Sequence, residues 1–384
     1  MRRPSPAARL MALAVVAGVC PAAAAAPPAR TPRLPETPYR YTDELPAHFQ
    51  SPAVRDLDNT PAGNPTTDAG AALGRVLFYD TRLSANGTIA CASCHHQKHA
   101  FSDPGGRYSK GYEGKHTDRN AMPLVEARFY PRGRFFWDER ARTLEDQVLM
   151  PIGNRVEMGH DPAKVVTQLA ADPVYPKLYA QAFGDPKMTT DRTARALAQF
   201  VRALHSYRSK YDAGVAQVRS RNDDFPNFTR EENRGRGLFM GRCATCHMPG
   251  GQDAVFSDPN TQNTGLDPDL KVPDLGVADV TFDKNRAGHF KSPSLRNVEH
   301  TAPYMHDGRF AKLEDVIEHY SSGIRANPNL DGRLRNLAIV PGSRPARGFQ
   351  FSAGEKAALL AFLKTLSDPT FLTDPRFSDP FTGE

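Results

Sequence analysis

The chain has 384 residues, enough for about two domains. Its 49 lysines and arginines exceed its 43 acidic residues by a formal +6. Three of those charges, Arg2, Arg3 and Arg9, lie in an N-terminal segment without acidic residues, which leaves +3, too little to argue for a nucleic acid or a membrane surface as partner.

Residues 1–26 read as a secretory signal: the arginines form the basic end, Leu10 to Val19 the apolar run and Ala22 to Ala26 a small-residue cleavage zone. The apolar run is too short to span a membrane, and no other stretch is long enough, so a soluble mature chain is expected. Cys20 leaves with the signal, and Val19 stands where a lipoprotein anchor wants a small residue. Residues 27–66, proline-rich and polar, read as a linker or surface strap. Thr67 and Asp68 cap a helix running to about Asp80, with Leu73, Val76 and Leu77 on its apolar face. Cys91-Ala92-Ser93-Cys94-His95 follows. Helices are expected over 163–182 and 191–215, the second presenting Leu197, Phe200, Val201 and Leu204 to a core. Polar residues 221–228 suggest a boundary. Thr229 and Glu232 then form a capping box. The next helix leads to Cys243-Ala244-Thr245-Cys246-His247. Leu313, Val316, Ile317 and Tyr320 share one helical face, and Ser352 with Glu355 caps a last helix bearing Leu359, Leu360, Phe362, Leu363 and Leu366.

Each pentapeptide is Cys-x-x-Cys-His, the attachment signature of haem c. Two thiols add to the porphyrin vinyl groups, and the adjacent histidine reaches the iron. Zinc would want further Cys or His ligands nearby, and a redox dithiol needs no histidine. Cys91, Cys94, Cys243 and Cys246 are all used in this way, which leaves none for disulfides. Gly74-Arg75-Val76-Leu77-Phe78 precedes the first motif as Gly235-Arg236-Gly237-Leu238-Phe239 precedes the second, an internal repeat. The expected fold is therefore all-α: two cytochrome c-like haem domains, 67–222 and 223–370, with long loops and a tail over 371–384. Export together with haem c implies a periplasm. Two covalently bound haem c groups bring four propionates and a net charge near neutral.

Beyond the haem motifs, Phe136-Trp137-Asp138-Glu139-Arg140, then Gln147, then Pro151-Ile152-Gly153-Asn154-Arg155-Val156-Glu157-Met158 closely resemble the bacterial di-haem cytochrome c peroxidase family. So do Ser294-Leu295-Arg296-Asn297-Val298 and Thr301-Ala302-Pro303-Tyr304-Met305-His306-Asp307-Gly308; the similarity runs from about residue 67 to 368. The resemblance implies a peroxidase that reduces hydrogen peroxide to water via high-valent iron. The electron source would be a small donor protein, a cytochrome c or a cupredoxin, or else a protein substrate. A homodimer is an assembly to test.

By the same resemblance Trp137, the only tryptophan, lies between the haems as an electron relay; alone it would read as a core residue. Glu157 is the distal acid–base, where alone it would read as a surface acid. Gln147 orients the bound oxygen species by hydrogen bonding. Pro151 stiffens the pocket wall and Met158 packs beside it. Asn120, Thr301 and Pro303 match an interdomain Ca²⁺ site of hard oxygen donors.

Two departures matter. The family's blocking histidine of the first haem is replaced by Tyr112, with His96, His99 and His116 nearby, so an open first haem is expected. At the second haem Tyr320 stands where many members have methionine, which resembles the MauG-like branch; Met305 is the competing ligand. That branch's surface tryptophan, two residues before the second motif, is Gly241 here, which argues against oxidation of partner tryptophans by that route. The reading from another class is a non-enzymatic di-haem electron-transfer cytochrome.

Overall fold

A computed structural model describes residues 31–220, 222–248, 254–270, 274–337 and 348–381. The expected signal over 1–26 lies outside them. The protein is mostly helical, and the only sheet among the described residues is a two-residue antiparallel ribbon pairing Thr261–Gln262 with Phe290–Lys291. An all-α fold with long loops is what the periodicity implied.

The repeated Gly-Arg-x-Leu-Phe pattern has a packing reason. The Asp68–Tyr79 helix, capped by the Thr67 hydroxyl accepting from the Gly70 amide at 3.0 Å, packs on the Thr190–Arg202 helix. A Cβ on Gly74 would lie 2.0 Å from the Ala196 carbonyl oxygen, so only glycine permits this approach. One turn on, Phe78 meets Phe200 with ring centroids 5.2 Å apart. The Arg230–Arg242 helix, held by its Thr229–Glu232 capping box, packs likewise on the Ala353–Lys364 helix with its Ser352–Glu355 box. A Cβ on Gly235 would lie 1.8 Å from the Ala358 carbonyl oxygen, and Phe239 meets Phe362 at 5.0 Å. Two apolar cores form around these crossings.

The structure departs from expectation in several places. The stretch 163–182 is two helices, Pro162–Ala170 and Val174–Phe183, because Pro173 removes an amide and starts the second. The stretch 191–215 is Thr190–Arg202 and Lys210–Val215, and Tyr211 already belongs to the second core, so the chain changes cores before the expected boundary at 221–228. Residues 371–381 are no loose tail. Phe371, Phe377 and Phe381 enter the first core, and the Ser378 and Phe377 carbonyls accept from Arg75 Nε (2.7 Å) and Tyr79 Oη (2.6 Å). Residues 371–381 therefore clasp the first half.

The 27–66 stretch is a strap as far as it is described, from residue 31. Phe49, Val54 and Leu57 are buried against Phe129 of the first half and Val255 of the second. Beneath it lies a buried charge network. Arg296, fully buried, forms a fork on Asp212 at 2.9 and 2.8 Å, and His48 from the strap reaches Asp212 at 2.7 Å. Burial alone would raise the Asp212 carboxyl, but Arg296, His48 and Ser209 together hold it far below the usual carboxylate range.

Candidate functional site

The first pentapeptide winds into a 3-10 turn, Cys91–Ser93, and the His95 amide closes it onto the Cys91 carbonyl at 3.0 Å. Ala100 and Phe101 both take left-handed φ, 50° and 60°, which turns the Phe101 carbonyl back toward the histidine. His95 Nδ1 bonds that carbonyl at 2.7 Å. The bond orients the ring, leaves Nε2 without a partner among the described residues and is the usual outer support of a metal-bound imidazole. Burial pushes the His95 ring pKa down, so the neutral, ligating form is favoured.

His95 and Cys94 border a cavity of about 1180 Å³. Gln147 and Pro151 line it one helical turn apart on the Leu144–Gly153 helix, and Glu157 joins them from the turn that follows. The Glu157 carboxylate has no hydrogen bond or ion pair among the described residues. Burial pushes its pKa up and the Arg140 charge opposes the shift. Arg140 itself is tied to Asp138 at 3.1 Å. Of the three histidines that could have reached this site, only His116 lines it. The rings of His96 and His99 bond the Ser93 and His300 carbonyls instead. Tyr112 stays outside the lining; its amide donates to the Glu157 carbonyl at 2.9 Å and steadies that turn.

The second pentapeptide is a short helix, Ala244–His247, again closed by the His247 amide on the Cys243 carbonyl at 3.0 Å. Phe256, at left-handed φ of 54°, offers its carbonyl as Phe101 does. His247 Nδ1 is buried and makes no hydrogen bond of standard geometry. Burial lowers this ring to about 4, against the opposing charge of Asp258. The cavity here is about 230 Å³, bordered by Cys243, Cys246 and His247 and also by Leu313, Val316, Ile317, Tyr320 and Met305. Tyr320 does not continue an α-helix as its spacing suggested. The α-helix Leu313–Glu318 widens into a π turn, His319–Gly323, in which the Tyr320 carbonyl accepts from the Phe349 amide at 3.0 Å. Such widenings often accompany functional sites. Burial raises the Tyr320 phenol, with the neighbouring thiols adding to the rise. His319 is turned away, onto the Thr264 carbonyl at 3.0 Å.

Trp137 and Asn120 border both cavities. The indole donates to the Asn120 carbonyl at 2.8 Å, and the Asn120 amide donates to the His306 carbonyl at 2.7 Å. Thr301 and Pro303 share the second cavity's wall with Asn120. His306, stacked on Phe290 at 3.6 Å and edge-on to Trp137 at 6.5 Å, belongs to the same partition and, although part of the Thr301–Gly308 motif and a candidate ligand of the second iron, was not given a role at the partition from the sequence. Neither was Lys291, whose amide donates to the Trp137 carbonyl at 2.8 Å and whose side chain borders both cavities. Its signal in the sequence was a lone cation immediately before the Ser294–Val298 motif, between Phe290 and Pro293.

The donor set suits haem c. The thiols are raised by burial, to about 12 at Cys91 and Cys243 and about 11 at Cys94 and Cys246. A redox dithiol works with a lowered thiol pKa. Among the described residues no group of three or more His, Cys, Asp or Glu could hold a metal ion, so neither motif has the further ligands that zinc would need. The second motif instead offers two thiols and one imidazole to its cavity, and the first offers Cys94 and His95, with Cys91 beside Cys94. No helix of the described residues is long and apolar enough to cross a membrane.

Comparison with known proteins agrees. The family model described as di-haem cytochrome c peroxidase matches residues 68–220. The chain is 32% identical over 318 residues to the methylamine utilization protein MauG of Methylophilus methylotrophus, covering 80% of this chain and 84% of that one. It is also 32% identical over 313 residues to the cytochrome c551 peroxidase of Nitrosomonas europaea, covering 77% and 79%. Among solved structures it resembles a MauG-like protein associated with microbial copper homeostasis, with TM-score 0.72, 35% identity and coverage of 88% and 99%.

Proposed function

The chain belongs to the di-haem cytochrome c peroxidase family, and on that premise we propose that it is an exported, MauG-like peroxidase whose first cavity takes hydrogen peroxide and whose second is closed. It is an oxidoreductase acting on peroxide. Cys91, Cys94 and His95 would hold one haem c and Cys243, Cys246 and His247 the other, each domain being built around one of them. When bound, haem c supplies the iron through which electrons reach peroxide.

The chain's own residues supply the proton chemistry. Cleaving the O–O bond of peroxide requires that a proton leave one oxygen and arrive on the departing one. An unpaired carboxylate in a recessed cavity can hold that proton at its Oε atoms. Glu157 is such a group in the first cavity, and this observation carries the proposal. The Gln147 amide, on the same wall, can orient the oxygen species through its NH₂. In the second cavity Tyr320 shares the wall with His247 and is the proposed second ligand, which would leave that haem no free position for peroxide. Trp137 spans the partition and is the proposed path between the sites. Asn120 with Thr301 and Pro303 is proposed as the calcium site, where amide and backbone oxygens would suit that ion.

Gly241, the position of the relay tryptophan in the MauG branch, is exposed on the Arg230–Arg242 helix and offers no ring, which supports a small donor protein, or a protein substrate reached another way, over oxidation of partner tryptophans. A periplasmic location is proposed from the signal-like N-terminus and the haem attachment motifs. Electron paramagnetic resonance of the resting ferric protein tests the reading. One high-spin centre that reacts with peroxide and one low-spin centre are expected. Two low-spin centres inert to peroxide would favour the electron-transfer cytochrome instead.

A further inference from the structure

We propose that Lys291 is the counter-charge for a propionate of the haem held by Cys91, Cys94 and His95. The inference rests on the haem reading above and concerns a residue to which neither the motifs nor the mechanism gave a role.

Lys291 is fixed in place. It pairs with Thr261 in the only ribbon of the described residues, and its amide is tied to the Trp137 carbonyl. Its residue surface is only 7% exposed. The ammonium lies 3.9 Å from the ring centre of Tyr130 and 5.0 Å from that of Phe135. Both rings border the first cavity and not the second, so Nζ faces the first. Ring faces attract a cation but do not replace an anion.

No anion is in place for it. The arginines bordering the same cavity are each satisfied: Arg119 by Asp274 at 2.7 Å, Arg140 by Asp138 at 3.1 Å and Arg309 by Asp267 at 2.9 Å. Lys291 makes no ion pair or side-chain hydrogen bond among the described residues. Glu139 is the carboxylate that acts on it, yet Glu139 is already engaged by Tyr130 Oη at 2.5 Å and Arg132 Nε at 2.9 Å. Burial lowers the Lys291 ammonium to about 8, so a charged lysine here is costly until an anion arrives. The cavity it faces is the one the tethered haem would fill, and the free anions of haem c are its propionates. A cation beside them stabilises the reduced iron, because reduction adds negative charge.

The test uses the holoprotein with both haems quantified, as wild type, Lys291→Gln and Lys291→Arg, in spectroelectrochemical titration. In Lys291→Gln the ratio of reduced to oxidised first haem at fixed potential should fall about tenfold, about 59 mV for a one-electron couple, with a smaller change at the second haem. Lys291→Arg keeps the charge and should stay within about twofold of wild type. A first-haem potential unmoved in Lys291→Gln at full haem content, or a larger shift at the second haem, would overturn the assignment. Should Lys291→Gln fail to load haem, resonance Raman decides between wild type and Lys291→Arg. The propionate bending band of the first haem should shift when a fork replaces a point charge, and an unchanged band overturns the assignment. Wild type without haem on Cys91 and Cys94 would overturn the haem reading and this inference together.

Discussion

The two halves pack their Cys-x-x-Cys-His turns on similar helix crossings, though His95 Nδ1 is hydrogen-bonded and His247 Nδ1 is not, and then part company. In each, a glycine one turn before a phenylalanine lets two helices touch, Gly74 on Ala196 and Gly235 on Ala358, and a residue at left-handed φ offers its carbonyl to the histidine, Phe101 or Phe256. In the cavities beside the histidines the halves diverge. The first has a cavity of about 1180 Å³ with the unpaired Glu157, and the second about 230 Å³ with Tyr320 and Met305 in its wall. The shared contacts form a socket, whereas the chemistry is decided by whichever segment faces it. In the first half that segment is a capped α-helix and its exit turn; in the second it is a π turn pinned by residues 349–351.

The most damaging way to blur this difference is to remove the acid–base from the open side. Glu157→Gln should keep both haems and slow peroxide activation at least about a hundredfold, read by stopped-flow mixing with peroxide. An unchanged rate would remove Glu157 from the mechanism. The same residue sets a pH limit. Its folded pKa is raised by burial, so activity that needs the carboxylate should fall as pH drops through a value above the ordinary glutamate pKa of about 4.3. That acid limb should be missing from Glu157→Gln.

Opening the closed side comes next. Tyr320→Phe should convert the second iron from low spin to high spin, or hand it to Met305 in the same wall, as seen by electron paramagnetic resonance. Tyr320→Met should raise that iron's potential, since a thioether stabilises ferrous iron better than a phenolate does. A low-spin signal and potentials untouched by Tyr320→Phe would make Tyr320 a packing residue.

The shared socket can be probed in both halves at once. Gly74→Ala and Gly235→Ala each drive a Cβ into a helix carbonyl and should each cost about 1–3 kcal/mol in denaturant melts of the haem-loaded protein. Gly237→Ala, with nothing within 4 Å of its new Cβ, should be neutral or stabilising by up to about 1 kcal/mol. Unequal costs at Gly74 and Gly235 would show that the sockets are not equivalent. The smallest effect is expected at the partition: chelation at the proposed calcium site should reversibly weaken the coupling between the haems and reduce activity, checked by spectra before and after chelation and calcium return, and spectra and activity indifferent to chelation would remove the site.

Much of this was legible from residues alone because it is local chemistry. The haem motifs need only five adjacent residues, and the Thr67 cap and the boxes at Thr229 and Ser352 are contacts within one turn. The Gly-Arg-x-Leu-Phe repeat was legible as a pattern, but its reason was not, since Ala196 and Ala358 lie more than a hundred residues further along. The break at Pro173 carried its own signal in the proline. The break after Arg202 did not, because the apolar spacing runs on through Leu204 while the chain crosses from one core to the other. The return of Phe371, Phe377 and Phe381 to the first core also depends on surfaces that sequence does not juxtapose.

By itself, then, the sequence determined the two haem-attachment motifs, most of the helical segments and which residues resemble a peroxidase's distal set. Tertiary structure alone decided that Trp137 and Lys291 stand in one partition and that Glu157 faces open space. It also decided that His96 and His99 turn away while His116 lines the cavity, and that Tyr320 reaches its wall through a π turn. The reason is range. Capping and periodicity act over a few residues, whereas burial, cavity shape and the pairing of charges depend on groups that only the finished packing brings together.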